Sequence, residues 1–356
     1  MAAPYSDQQL HGLVRAMLNE LPPTLDTDDP ERTAALQSYD AAALARTIDH
    51  TLLAPTASPT DIVTLCTVAH RARVASVCVN SNMLPFARAT LAQLAKDAHP
   101  LLPDETSSTS RAGAASDDAV VVPIAVVGFP FGAANTAAKV EETRQACADG
   151  AHEIDMVQPI SYLRAGLFSY VLNDIRAVVA AAAAAAAAAT GRGTGGSARP
   201  VKVILETANL TRDQIATSAL LACLAGTAYI KTSTGYALGP LEGRPLGARV
   251  EDVRLMAWVA AYHERVFLLP QQQQQQQQHQ SQPEAGASSA HAPPQRVKVK
   301  ASGGIGSAQT LRQMLAAGAD RIGASRTEAI VKELVAPSPA PTSAPPASDA
   351  PSQDAY

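Results

Sequence analysis

The stretch Val297-Lys-Val-Lys-Ala-Ser-Gly-Gly-Ile-Gly-Ser307 holds a complete structural unit. Val297–Lys300 is a short β-like run, the glycines form a turn, and Ser307–Ala317 reads as an amphipathic helix opened by a serine of N-cap type. The same unit recurs along the chain. Further β-like runs are Arg46–Asp49, Ser76–Val79, Val120–Val127, His152–Met156, Val201–Glu206, Ala228–Lys231 and Arg321–Gly323. Between them lie helical patterns, clearest at Thr60–Arg71, Asn135–Asp149, Thr211–Ala225, Val250–His263 and Thr327–Val335. Eight strands alternating with helices over about 250 residues predict an α/β protein, a (β/α)8 TIM barrel. A doubly wound open sheet is the alternative. It would want a GxGxxG turn after its first strand, and Asp49-His-Thr-Leu-Leu-Ala-Pro55 has no glycine.

Composition fits one large domain with additions. The chain has 356 residues, of which 47% are hydrophobic and 17% charged, the latter below the roughly 25% of an ordinary soluble domain. A net charge of −4 gives no basic excess and argues against a nucleic-acid partner. No apolar run is expected to reach the roughly 18 residues of a membrane helix; Ala180–Ala189 is too short and too weakly apolar. Four scattered cysteines, with no CxxC, suggest a reducing compartment, and the cytoplasm is the default. Residues 1–42 read as an N-terminal helical extension, opened by an amphipathic helix over Ser6–Leu21, and 43–335 as the barrel. Pro100–Asp118, Ala180–Pro200, Pro270–Gln295 and the tail Ala336–Tyr356 are low in complexity and are expected to be disordered, although poly-Ala can extend a helix. The first three follow a helix and precede a strand, which in a barrel is the N-terminal face. Asp49, Cys78, Asp155, Glu206, Lys231 and Lys300 are instead expected at strand C-terminal ends, on the face where barrels keep their active sites.

Lysine is scarce, 7 against 21 Arg, yet two of the seven close predicted strands: Lys231 before Thr232-Ser-Thr-Gly235, and Lys300 before Ala301-Ser-Gly-Gly304. Arginine stays protonated, whereas a buried lysine can lose its proton and attack a carbonyl. A nucleophilic pair is one reading, and two lysines snorkelling to solvent the other. Burial and a neighbouring ammonium would both lower the Lys231 pKa, and strands six and seven are adjacent, so Lys300 is the candidate perturber. Alternation places Lys202, Ile204 and Glu206 on one face, expected to point into the barrel. The glycine turns after strands seven and eight lie where barrels commonly hold phosphate. Asp155 is either an acid–base group or a carboxylate merely paired to a barrel lysine. The eight histidines form no HxH or HxxxH pair, which disfavours a metal site, and no cofactor is implied.

Ile48-Asp-His-Thr-Leu-Leu53, Val77-Cys-Val-Asn80, Val127-Gly-Phe-Pro-Phe-Gly132, Glu153-Ile-Asp-Met-Val157, Val201-Lys-Val-Ile-Leu-Glu-Thr207, Ile230-Lys-Thr-Ser-Thr-Gly235, Lys300-Ala-Ser-Gly-Gly-Ile305 and Arg321-Ile-Gly-Ala-Ser325 together resemble the deoxyribose-phosphate aldolase family, in its order. The resemblance implies a class I aldolase that cleaves 2-deoxy-D-ribose 5-phosphate to D-glyceraldehyde 3-phosphate and acetaldehyde, in deoxyribonucleoside catabolism. It implies Lys231 as Schiff-base lysine, Lys300 as the residue that depresses its pKa, and Asp155 in proton transfer. Asp49, Cys78, Lys202 and Thr232 match positions around the substrate. Gly235, Gly303, Gly304, Gly323 and Ser325 match a phosphate cradle. Its partner would be a small phosphosugar, and a homodimer or homo-oligomer is compatible. Arg326 stands where a small residue is usual, and Leu238–Gly247 is longer than usual on the active face. Some relatives end in a catalytic tyrosine, but an inert terminus is the preferred reading for Tyr356. Two rivals stay open: a Schiff-base aldolase for another phosphosugar, and a non-catalytic scaffold using the poly-Gln loop.

Overall fold

Period-two alternation sorts each strand into an outer apolar set and an inner set that carries most of the buried charge. The strands are β1 (Ile48–Leu52), β2 (Ser76–Val79), β3 (Val122–Val127), β4 (Glu153–Val157), β5 (Val201–Ile204), β6 (Tyr229–Lys231), β7 (Lys298–Ser302) and β8 (Arg321–Ala324). They form a closed parallel barrel in sequence order, with β8 returning to β1. This computed structural model describes residues 5–96, 120–190, 199–241, 243–273 and 296–336. The expected insertion at 100–118, most of that at 270–295 and the tail with Tyr356 lie outside the described residues.

Outward residues such as Val77, Ala125, Ile154, Val203 and Ile322 share one core cluster with the buried faces of the surrounding helices. Those helices include α1 (Asp7–Glu20), α2 (Pro30–Gln37), α3 (Ala41–Ala45), α4 (Pro59–Arg71), α5 (Leu84–Leu94), α6 (Thr136–Asp149), α7 (Ile160–Arg164) and α8 (Phe168–Thr190). They continue with α9 (Arg212–Leu224), α10 (Val250–His263), α11 (Ala308–Ala316) and α12 (Thr327–Val335). Capping boxes fix several starts, at Ser6/Gln9, Ser58/Asp61, Thr211/Gln214 and Ser307/Thr310. The N-terminal helix is docked, not loose: Leu10, Val14 and Met17 enter the common core, and Asp7 Oδ1 accepts from Ser169 N at 2.7 Å. A smaller cluster inside the barrel contains Leu53, Cys78, Ile124 and Val126, capped by Phe129 and Tyr236.

Two expectations need correction. Residues 180–190 are not a disordered insertion but the second half of α8, with Ala181, Ala182 and Ala186 buried. Joined to Phe168–Val179, the alanines make a helix long and apolar enough, by length and composition, to cross a membrane; a count of the Ala run alone overlooked this. Val171, Leu172, Ile175, Val178 and Ala182 pack instead into the core of the barrel. Likewise, residues 269–273 are helical, continuing from α10. The second correction concerns strand ends. β1 runs to Leu52, so Asp49 is its second residue, and Asp155 and Lys300 are each the third of five. They lie within the barrel, not at its rim.

Candidate active site

Closing the sheet brings the inward residues of β1, β4, β5, β6 and β7 against one another. Asp155 is the hub. Its Oδ2 accepts from Lys231 Nζ at 2.9 Å and Lys300 Nζ at 2.8 Å, and its Oδ1 from Lys202 Nζ at 2.9 Å. Lys300 Nζ also lies 2.6 Å from Asp49 Oδ2. Asp49 Oδ1 accepts from Ser76 Oγ at 2.5 Å and from Arg321 Nη1 at 2.8 Å. Lys202 is ion-paired to Glu153 as well, and Arg321 Nη2 lies 3.7 Å from Glu153 Oε1. Lys202, Lys300, Asp49 and Asp155 have fully buried side chains.

These environments pull the protonation states apart. The carboxyl groups of Asp155 and Asp49 are held well below the usual range, because the surrounding ammonium and guanidinium charges outweigh their burial. Lys300 and Lys202 are held above the ordinary lysine value by Asp155 and by Asp49 or Glu153, again against burial. Lys231 moves the other way: burial and the Lys300 charge lower it, and its attraction to Asp155 does not offset them. The arrangement therefore favours one neutral amine beside one charged one. Cys78 is buried beside them, and burial pushes its thiol up to about 11, so it is a neutral packing group at ordinary pH.

The loops above this cluster hold the other candidates. Thr232 Oγ1 accepts from Ser302 N at 3.0 Å and donates to Ser302 O at 3.2 Å, tying the β6 loop to the end of β7. Gly303 and Gly304 have φ of +90° and +74°, and a side chain at Gly304 would meet nothing within 4 Å. Gly235 also has positive φ. Gly323 is a glycine for another reason: an added Cβ would fall 2.1 Å from Ser302 Oγ. Ser325 is exposed between β8 and α12, and Arg326 at the start of α12 makes no side-chain capping bond. Arg326 lies instead along Gly306. Among the described residues the buried Ser233 and Ser302 hydroxyls have no hydrogen-bond partner.

The expected inward set of Lys202 and Glu206 holds for Lys202. Glu206 lies past the end of β5 with φ +58°, where alternation no longer orients a side chain, and it accepts from Thr234 N at 3.3 Å. Glu153, Arg321 and Ser76 were missed as site residues, although alternation from Asp155 and Gly323 places the first two on the same inward faces. Also missed was Lys139, whose buried ammonium donates to Asp174 Oδ2 at 2.8 Å, beneath Gly128 in the loop after β3. Arg244 anchors the long Leu238–Gly247 stretch through the Leu210 and Thr207 carbonyls and Asp252. Among the described residues no group of three His, Cys, Asp or Glu side chains could hold a metal ion.

Residues 43–329 match the model of the DeoC/LacD family aldolases. The chain is 34% identical over 292 residues to the deoxyribose-phosphate aldolase of Carboxydothermus hydrogenoformans, covering 82% of this chain and 95% of that protein. It is 37% identical to the enzyme of the same name from Methanocella arvoryzae, covering 81% and 94%. A solved structure from Coccidioides immitis, provisionally described as a deoxyribose-phosphate aldolase, superposes with a TM-score of 0.65 at 28% identity, covering 92% of this chain and 98% of its own.

Proposed function

Because this chain belongs to the DeoC/LacD family of aldolases, we propose that it is a class I aldolase that interconverts 2-deoxy-D-ribose 5-phosphate with D-glyceraldehyde 3-phosphate and acetaldehyde. One observation carries the reading: Lys231 Nζ and Lys300 Nζ share a single oxygen, Asp155 Oδ2. Two ammonium groups so close repel, and the one with fewer carboxylates sheds its proton. Neutral Lys231 adds to the C1 carbonyl of the open-chain sugar, and loss of water gives an iminium. The iminium takes up the electron pair of the breaking C2–C3 bond as the C3 hydroxyl loses its proton, which releases the phosphorylated triose and leaves an enamine on Lys231. Protonation of the enamine and addition of water then free acetaldehyde and restore the amine. Asp155, which touches both lysines, relays the protons, with Lys300 as the charged donor.

The phosphate is assigned to the loops after β7 and β8. The α12 N-terminus has no side-chain cap, Gly304 is exposed with open space where a Cβ would stand, and the Ser233 and Ser302 hydroxyls, unpartnered among the described residues, supply donors. Thr232, Gly235, Gly323 and Ser325 complete this cradle in the proposal, with Asp49, Cys78 and Lys202 lining the sugar end. The setting is the cytoplasm, in breakdown of deoxyribonucleosides, and the assembly a homodimer or larger homo-oligomer. A solved deoxyribose phosphate aldolase from Aeropyrum pernix is described as a tetramer; at 21% identity it shares the fold.

The test is borohydride reduction in the presence of acetaldehyde, followed by peptide mapping. Label at Lys231, abolished in Lys231→Arg with the fold intact, is the expected result, because a guanidinium stays protonated and forms no imine. Label at Lys300 or Lys202 would overturn the assignment. A panel of phosphosugars then separates this substrate from others cleaved by Schiff-base aldolases.

A further inference from the structure

Inside the barrel the charges do not balance. Lys202, Lys231, Lys300 and Arg321 are four cations, while Asp49, Glu153 and Asp155 are three carboxylates, linked by the contacts given above. With every group ionised, one positive charge is in excess. The carboxylates are also shared unequally. Lys300 touches Asp49 and Asp155, Lys202 touches Asp155 and Glu153 and lies 3.9 Å from Asp49, and Arg321 reaches Asp49 and Glu153. Among the described residues Lys231 is ion-paired to Asp155 alone, through an oxygen it shares with Lys300.

The other groups facing this cluster are not ion-paired to it among the described residues. The Cys78 thiol stays neutral, as described. Glu206 lies at the rim on Thr234, where burial pushes its carboxyl upward against the Thr234 hydrogen bonds and the Lys231 charge, and it forms no ion pair with the four cations among the described residues. At the opposite end of the barrel Arg321 Nη2 donates to the Tyr229 hydroxyl at 3.4 Å. Lys298, Lys202 and Arg321 surround the Tyr229 ring at 5.8, 5.7 and 5.7 Å from its centroid. Glu153 and Arg321 are the partly exposed members of the set, with 12% and 16% side-chain exposure. They sit on the side away from the glycine loops, in no contact with Lys231.

We propose that Glu153 and Arg321 are a charge-setting pair: from below the site they fix how many protons the buried lysines hold together, and so keep Lys231 the amine that gives one up. They are positioning residues, acting through Lys202, Asp49 and Asp155. The inference rests on reading Lys231 as the nucleophile. Its physical content is that the two act in opposite directions. Removing Glu153 adds to the excess positive charge and drives Lys231 further toward the neutral form. Removing Arg321 cancels the excess and lets Lys231 keep its proton. A unit charge on the order of 10 Å away in a protein interior moves a titration by about one pH unit, which is tenfold in neutral amine.

The experiment follows Lys231 acetylation by acetic anhydride across pH with peptide mapping, in parallel with borohydride trapping of acetaldehyde. Glu153→Gln should lower the Lys231 midpoint by about one pH unit, and Arg321→Met should raise it by about as much. Arg321→Lys, which keeps the charge, should leave it in place, and Glu153→Gln/Arg321→Met should bring it back close to wild type. A merely structural role would move both single variants the same way and would not be compensated. Shifts of like sign, no shift, or a double variant further from wild type than either single overturns the proposal. If Arg321→Met does not fold, Glu153→Gln against Arg321→Lys decides on the same criterion. Absence of acetaldehyde trapping in the wild type, with the labelling midpoints still shifted as expected, refutes the aldolase reading and leaves the charge-setting pair standing.

Discussion

Replacing Lys300 by Met should move the Lys231 titration upward by about two pH units. Both ammonium nitrogens touch Asp155 Oδ2, at 2.9 and 2.8 Å, so they lie no more than about 6 Å apart. Two unit charges at about 5 Å, in the effective dielectric of about 20 that suits buried sites, repel by about 3 kcal/mol, or about two units. Without Lys300, Asp155 and Asp49 also turn more of their field on the remaining cations, which acts in the same direction. Sign and consequence are plain: a higher Lys231 pKa means less neutral amine, by about a hundredfold near neutrality. The assay is the pH dependence of the borohydride trapping rate with acetaldehyde, read as a midpoint and a plateau. The midpoint reports the charge interaction and the plateau the intrinsic reactivity of the neutral amine, so a loss of proton transfer cannot imitate the shift. Lys300→Arg, with the charge retained, should keep a low midpoint. A midpoint that stays put or falls in Lys300→Met would refute the electrostatic reasoning.

Three other outcomes follow from the geometry. Lys139→Met strands the buried Asp174 carboxylate and should cost about 3–5 kcal/mol in urea unfolding, whereas Lys139→Met/Asp174→Leu should cost less than the single change. His50 is buried between the Ala324 carbonyl and Thr327, and burial pushes it from its ordinary 6.5 down to about 4. The unfolded chain then binds the proton that the native state refuses, so stability is complete above about pH 6.5 and falls as the pH descends toward about 4. Between pH 7 and 5 the wild type should lose about 2 kcal/mol more than His50→Gln in urea melts; equal losses would rule out His50 as the source. Gly323→Ala drives a methyl into Ser302 Oγ and should destabilise by about 1–3 kcal/mol, partly recovered in Ser302→Ala/Gly323→Ala. No recovery would mean that Ser302 is not the obstacle.

The barrel was legible because every strand carries the same grammar. Ile154 and Met156 face the helices while Glu153 and Asp155 face inward, and a slip of one residue would have exchanged the two sets. Strand ends were less legible. Asp49 reads as a terminus if the polar His50 and Thr51 are taken for a loop, yet His50 is satisfied outside the barrel by Ala324 and Thr327. The α8 helix was hidden by composition: alanine is too weakly apolar to announce a buried face, although Ala182 is completely buried. In the site, Lys231, Lys300 and Asp155 were readable from strand and turn, as types and positions. Glu153 and Arg321 lie at strand starts, where nothing local distinguishes a buried charge from a solvated one. Only closure of β8 on β1 brings Arg321 to Asp49.

Burying seven ionisable groups in one barrel opposes folding, since each loses its hydration and an ion pair only roughly restores it. An apolar interior would serve stability better, as Leu53, Ile124 and Val126 do in their cluster with Cys78. What the charges achieve is asymmetry. Had a fourth carboxylate been ion-paired to Lys231, every cation in the set would hold its proton and the cluster would contain no free amine. Had Asp155 been apolar, three lysines would compete to deprotonate and none would be singled out. Three carboxylates, each shared by two or three cations, leave the shortfall on Lys231, at the end of its strand and next to the glycine loops. The destabilisation is thereby concentrated on the one side chain whose reactivity benefits from it, which is the pattern expected where stability yields locally to chemistry.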